Sequence, residues 1–250
     1  MEQKLRRLPV MIVTVLLAVM AYFLRRSQLQ TAFDAIGVIP GSGRAFTWIT
    51  ILVVIVFAVY AFFLRGRKKY TAVSSCWMPL LAVSCVAAVL LVLSSVLRLG
   101  SLAQKSNILI VVGGLMTAAC WIGTALSRYQ AKRAHGALLL LPAVFYVVDL
   151  VLQFRLWTRD PVILDYCYDL LALICTMCAL FHLGGYSFDK GSRRITTFFT
   201  MCGVFFNAAA MAGASAAVFL GYLAAALWLL VNLWLLLRPV SQRAKTAEEE

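Results

Sequence analysis

Three aspartates stand in two consecutive apolar segments of the chain, Asp149 in the first and Asp165 and Asp169 in the second. An Asp at the centre of a bilayer costs roughly 2.5 to 3.5 kcal/mol on insertion scales, so each needs a charge partner, water, a proton or a bound cation. Asp165 and Asp169 are four residues apart and share a helix face. Like charges crowded in a low dielectric favour a carboxyl that holds or exchanges a proton, or binds a cation.

Further polar side chains fall at the same depth as these aspartates. Tyr146 shares a helix face with Asp149, and Asn207 enters from a later apolar segment. The sequence therefore predicts one binding pocket for a solute or an ion, formed by Asp149, Asp165, Asp169, Tyr146, Tyr168 and Asn207. Three arginines are candidate charge partners: Arg98, Arg155 and Arg159. They leave an alternative open, a buried ion network that only holds the helices together.

The elements that carry these residues are membrane helices. Of the 250 residues, 63% are hydrophobic and 13% are charged, with a mean hydropathy of +0.90. Windows of about 17 to 25 apolar residues, each long enough to cross a bilayer, follow one another closely. We predict an all-α integral membrane protein, a polytopic bundle of eight transmembrane helices forming a single transmembrane domain over residues 1–250, without a soluble domain. The predicted spans are approximately 8–24, 46–64, 77–97, 108–126, 137–154, 162–183, 195–211 and 214–237.

The distribution of Lys and Arg predicts the orientation, because cytoplasmic loops are enriched in these residues. Sixteen of the 23 basic residues fall on one side of the predicted spans and seven on the other. This places both termini in the cytoplasm and the acidic hairpin towards the outside, although Arg25 and Arg26 run against the rule. The net charge of +13 is scattered in short clusters at segment ends, which argues against nucleic-acid binding. The short loops favour a bacterial cytoplasmic (inner) membrane.

The sequence predicts no catalytic residue, cofactor or metal site. His135 and His182 lie on the predicted inner side, away from the carboxylates, so no His-based dyad assembles. Cys175 and Cys178 form a CxxC on one helix, but no His or second Cys pair stands nearby to complete a metal site. We expect a protein that is not an enzyme.

Small residues recur every four positions along the last segment, at Gly213, Ala217, Gly221 and Ala225. Such stripes let helix backbones approach closely in membranes. The predicted contact lies within the chain, or it joins a homo-oligomer or a membrane partner.

Two functions fit this pattern. The first is a carrier of a small solute or ion, proton or cation included, with an outward-facing carboxylate pocket. The second is a non-catalytic membrane-complex subunit or sensor in which the acidic hairpin is structural. A carrier should show broken helices and a water-filled cavity, whereas a subunit should show a solid core and an exposed small-residue face.

Overall fold

The computed structural model describes residues 7–31, 44–64, 77–99, 106–130, 132–157 and 166–237. These residues form eight α-helices: α1 Arg7–Thr31, α2 Arg44–Phe63, α3 Met78–Leu99, α4 Ser106–Tyr129, α5 Gly136–Trp157, α6 Cys167–Gly185, α7 Arg193–Met211 and α8 Ala216–Leu237. A short 3-10 helix, Tyr186–Phe188, follows α6. The described part of the chain contains no β-strand.

Successive helices run in alternating directions, which gives the bundle two ends. At one end, which we call the acidic end, α3 finishes beside the start of α8, and Ser94 Oγ donates to the carbonyl of Ala217 at 2.6 Å. Asp149 and Asp169 belong to this end. At the other, the basic end, Arg193 at the start of α7 donates from Nε to the carbonyl of Leu236 in α8 at 2.7 Å.

Six of the helices close into a ring. Each of α3 to α8 packs against the next in the chain, and α8 returns to α3. Helices α1 and α2 pack against α7 from outside this ring. The side chains on the inner faces of these six helices therefore line the interior of the ring.

Seven of the eight described helices are long and apolar enough to cross a membrane, with mean hydropathies between 1.7 and 2.7. Many of their apolar side chains are exposed, as Phe23 and Phe63 are, which suits a surface surrounded by lipid tails. The chain is thus a multi-pass helical membrane protein in contact with the bilayer. The eighth helix, α7, is not among the seven.

Helix α7 is more polar because it packs mainly against protein. It contacts α1, α2, α6 and α8, and most of its side chains are buried, including those of Thr196, Thr197, Thr200 and Asn207. A helix that is shielded by its neighbours can carry hydroxyl and amide groups that hydrogen-bond inside the bundle, whereas a helix that faces lipid cannot. This burial explains why its hydropathy falls below that of the other helices.

Each predicted span corresponds to one observed helix, but the bounds differ. Helix α1 continues to Thr31, seven residues past the predicted end at Leu24. The hydropathy of a segment indicates where the hydrocarbon core of the bilayer ends. The backbone hydrogen bonds of the helix continue beyond that point, into the interface between the bilayer and water. Helices α7 and α8 are separate, as predicted, with residues 212–215 between them. Residues 162–165 of the predicted sixth span lie outside the described part of the chain.

The stripe of small residues on α8 supports contacts within the chain. A methyl group built on Gly221 would lie 3.0 Å from Ser94 Oγ and 3.5 Å from Nη2 of Arg98, both on α3. Ala225 is buried, while Gly213 at the turn before α8 is exposed. The close approach of α3 and α8 therefore depends on this stripe. A homo-oligomer or membrane partner at the same residues stays a prediction.

Candidate functional site

A cavity of about 360 Å³ lies at the acidic end, between α1, α5, α6, α7 and α8. We call it the acidic-end cavity. Its polar lining comes from Arg25, Gln153, Tyr166, Asp169, Ser215 and Tyr222. Small apolar residues from the end of α7 and the turn before α8 form another part of the wall. The volume falls at the lower end of the range of about 300 to 1,000 Å³ that is usual for small-molecule sites.

Asp169 reaches this cavity from the first turn of α6. Its side chain is half-buried, and its Oδ1 accepts a hydrogen bond of 2.8 Å from the hydroxyl of Tyr222 on α8. Tyr222 is itself buried. Asp169 is one of the residues that the sequence predicts for the pocket, whereas Tyr222 is not; its signal was a single phenol directly after Gly221 in a predominantly apolar helix.

Arg25 on α1 lines the acidic-end cavity, and only 3% of it is exposed. Its Nη1 donates to Gln28 Oε1 at 2.7 Å, and its guanidinium carbon lies 4.7 Å from the centre of the Tyr168 ring. The sequence analysis treated Arg25 as an exception to the charge rule. The burial of Arg25 at the cavity gives a physical reason for this exception. A guanidinium that is buried beside a cavity does not indicate on which side of the membrane a loop lies.

Asp149 lies deeper in the ring, on α5, and is buried. Its Oδ1 is 3.9 Å from Nη1 of Arg98 on α3 and accepts a hydrogen bond of 3.3 Å from Gln153 Nε2. A second, small cavity of about 20 Å³ adjoins Asp149 and Arg98, with Ser94 and Tyr146 in its wall. We call it the inner pocket, and its volume is enough for about one water molecule.

Tyr222 borders both the acidic-end cavity and the inner pocket. Its phenol therefore stands between the two carboxylates: it donates to Asp169 on one side and faces the pocket of Asp149 on the other. Gln153 connects them in a second way, because it lines the acidic-end cavity and donates to Asp149. The two carboxylates thus belong to one polar region that Tyr222 divides.

Other residues that the sequence analysis assigned to the pocket have different neighbours. Tyr168 packs between Phe46 and Phe206, with ring centres 4.9 and 6.5 Å away. The guanidinium of Arg25 lies over its ring. Asn207 donates to Thr176 Oγ1 at 2.8 Å and joins α7 to α6. Neither residue lines the two cavities described above.

The three arginines that were predicted as charge partners also differ in their surroundings. Arg98 pairs with Asp149, while Arg155 is exposed at the end of α5. Asp165 and Arg159 lie outside the described residues, so their assignment to the pocket stays a prediction.

The basic end of the ring is filled by large side chains. The indoles of Trp121 on α4 and Trp228 on α8 stack with centres 4.9 Å apart and planes 6° from parallel. Directly beyond them, Nη1 of Arg128 donates to Asn232 Oδ1 at 2.8 Å. All four side chains are buried, so the ring is tightly packed between the inner pocket and the basic end.

The arrangement suits reversible binding of a small polar molecule or ion. It brings carboxylates, guanidinium groups and phenols together beside a cavity. Within the described residues, no three His, Cys, Asp or Glu side chains are grouped so that they could hold a metal ion. Comparison of the chain with protein-family models, with curated proteins and with solved structures finds no match.

Proposed function

We propose that the protein is a carrier of a small solute or ion, and that Asp169 in the acidic-end cavity is the residue that binds it. In the proposed topology all eight helices cross the membrane, both termini are cytoplasmic, and the cavity opens to the outside. The Lys and Arg distribution supports this orientation, and a bacterial cytoplasmic membrane remains part of the proposal.

The observation that carries the proposal is the contrast between the two ends of the six-helix ring. A cavity of about 360 Å³ with Asp169 in its wall lies at the acidic end, whereas the stacked Trp121 and Trp228 fill the ring towards the basic end. A site that is reached from one side and closed from the other is what alternating access requires of each of its two end states. In the proposed orientation, this arrangement would correspond to the outward-facing state of such a cycle.

Two observations favour the alternative, a structural subunit or sensor. The helices are continuous, and the Gly113–Gly114 pair in the middle of α4 is packed against Phe145 and Ser95 rather than broken. Asp149 also has an ion partner in Arg98, as an acidic group with a purely structural role would. We assign the structural role to Asp149 and Arg98, and solute binding to Asp169.

Uptake into proteoliposomes by the Asp169→Asn variant tests this function. Asparagine keeps the size of the side chain and an acceptor for Tyr222 but removes the negative charge, so we expect uptake to fall at least tenfold while the protein stays folded. Candidate substrates are radiolabelled monovalent cations and small polar solutes. Wild-type uptake in the Asp169→Asn variant would overturn the carrier role of this residue.

Asp189 provides the matched control. It is a half-exposed carboxylate at the basic end, paired with Arg133 at 2.7 Å, and its left-handed backbone (φ 54°) also suits asparagine. The Asp189→Asn variant should therefore retain wild-type uptake. An equal loss in both variants would indicate a general effect of removing charge rather than a binding site.

A further inference from the structure

We infer that the basic end binds the headgroup of an anionic phospholipid where the end of α2 meets the start of α7, with the phosphate of the lipid at Arg194. We call this surface, formed by Arg194, Phe62, Phe63 and Leu64, the α2–α7 junction. The inference goes beyond the proposed carrier function, because the junction lies on the outer surface of the bundle and not in the acidic-end cavity. Three properties support it: the way Arg194 is held, the apolar surface beside it and the charge of the basic end.

The guanidinium of Arg194 is held by two contacts with the end of α2. Its Nε donates to the carbonyl of Leu64 at 2.7 Å, and its guanidinium carbon lies 5.5 Å from the centre of the Phe62 ring. These contacts use one of the five N–H donors of the group and one face of its plane. The donors on the two terminal nitrogens have the fork geometry that binds phosphate oxygens. Because the plane is already held, less side-chain entropy is lost when a phosphate binds.

Arg194 is exposed, and its charge is not balanced by an acidic side chain of the described residues. Asp189 is the one acidic residue at the described basic end, and it pairs with Arg133 at 2.7 Å. No described carboxylate forms an ion pair with Arg194. A phosphate group at the membrane surface is therefore a suitable counterion for this guanidinium.

The residues beside Arg194 suit the acyl chains that are attached to a lipid headgroup. Phe62 and Phe63 are exposed, as is Ile195 next to Arg194. Helix α2 is apolar enough to cross a membrane up to Phe63, so the junction lies where the hydrocarbon core meets the headgroups. A phospholipid at this position contacts Arg194 with its phosphate and α2 with its chains. A free phosphate ion would make only the first of these contacts.

The charge of the basic end favours an anionic lipid over a neutral one. Counted over the whole chain, sixteen of the 23 basic residues but only five of the 10 acidic residues fall on this side of the predicted spans. Four of the basic residues lie within the five positions after Leu64: Arg65, Arg67, Lys68 and Lys69. Basic side chains near a bilayer surface attract anionic lipids, and the attraction grows with their number.

The lipid composition next to the junction tests the inference. In a background without the seven native cysteines, Val59→Cys carries a bimane label about one turn from Phe62 and Phe63, on the same exposed face of α2. The protein is placed in nanodiscs of equal amounts of phosphatidylglycerol and phosphatidylcholine, and one of the two lipids has brominated chains that quench the label. We expect phosphatidylglycerol to be enriched about fivefold at Val59, the ratio for one basic side chain at a bilayer surface. Both leaflets have the same composition, so the orientation of the protein does not affect the result.

Three variants provide the comparison. Leu52→Cys is exposed on the same face of α2, two turns closer to the acidic end, and the two lipids should quench a label there almost equally. Arg194→Gln, combined with Val59→Cys, should lower the enrichment by at least about half. Arg133→Gln removes the same charge from the same end, but from a guanidinium that is paired with Asp189, so it should leave the enrichment at Val59 unchanged.

Three results would overturn the lipid site. The first is equal quenching at Val59 by the two lipids. The second is an enrichment that Arg194→Gln does not lower, or lowers no more than Arg133→Gln does, with the variants folded by circular dichroism; the basic end would then attract anionic lipid without a site at Arg194. The third is loss of the enrichment in millimolar inorganic phosphate but not in chloride of equal ionic strength, which would assign the junction to a free phosphate ion. None of these results bears on the carrier function, which uptake by Asp169→Asn tests separately.

Discussion

At the scale of single residues, the aspartates of one hairpin have different surroundings. Asp149 is buried against Arg98 and Gln153, and this ion pair offsets part of the cost of placing a charge inside a membrane bundle. Asp169 lies at a cavity with Tyr222 as its hydrogen-bond donor. We propose that the first arrangement stabilises the fold and that the second binds the ligand.

The pairing of Asp149 with Arg98 predicts energetic coupling between the two side chains. Asp149→Asn and Arg98→Gln each leave one buried charge behind, whereas the double variant leaves none. We expect the double variant to be less destabilised than the sum of the single variants by about 0.5 to 3 kcal/mol, the range measured for residues in direct contact. The measurement is unfolding of the three variants and the wild type in mixed micelles.

Strictly additive losses in that cycle would contradict the assignment. They would show that the contact of 3.9 Å contributes nothing to stability. A second measurement, uptake by folded Asp149→Asn in proteoliposomes, should give the wild-type rate within a few fold, because Asp149 lies behind Tyr222 and outside the acidic-end cavity.

The sequence singled out the carboxylates but not all of the residues that surround them in the structure. An aspartate in an apolar segment is a strong signal, because its insertion cost demands an explanation. The sequence did not predict Arg25 to lie at the site, because arginines near helix ends usually reflect the orientation of the helix in the membrane. Which way a side chain at a helix end points depends on the packing of α1 against α7, and no local pattern in α1 contains that information.

At the scale of helices, close packing depends on glycines at the contacts between neighbouring helices. In α4, a methyl group built on Gly113 would lie 2.5 Å from Cδ2 of Phe145 on α5. Phe145 is buried and contacts the ring of Tyr146 edge to face. The ring of Phe145 therefore has little room to move away.

Gly113→Ala should destabilise the protein by about 1 to 3 kcal/mol, the usual cost of overpacking a filled interior. The matched control is Gly123→Ala in the same helix, where the new methyl group would meet Leu138 at 3.6 Å, an ordinary contact distance. The control should be neutral or stabilising by up to about 1 kcal/mol, because alanine has the higher helix propensity. Thermal unfolding of both variants in one detergent provides the comparison, and equal stabilities would contradict the tight α4–α5 contact.

The helices themselves were predictable because a bilayer imposes a length and a composition on each span. The prediction for α7 rested on the total length of the apolar run and not on its own hydropathy, which is lowered by residues such as Thr196, Thr197 and Asn207. The pairing order of the helices was not predictable. Apolar segments of similar length carry little information on which neighbour each one contacts.

At the scale of the whole molecule, the ring of α3 to α8 places polar groups at the acidic end and packed indoles towards the basic end. The ring explains how hydrophilic residues from α3, α5, α6 and α8 meet inside a bundle whose outer surface is apolar. It also provides the asymmetry that a carrier needs in any one of its states, with a cavity towards one end and side chains packed across the other.

The most direct test of the central claim is the accessibility of this cavity from outside the cell. Ala210 is buried in the cavity wall, so Ala210→Cys, in a background without the seven native cysteines, can report access to a membrane-impermeant maleimide. Phe188→Cys, exposed at the basic end, is the control for the opposite side. We expect Ala210→Cys to react in intact cells and Phe188→Cys to react only after permeabilisation. Reaction of Ala210→Cys only after permeabilisation, or no reaction at all, would contradict an outward-facing binding cavity.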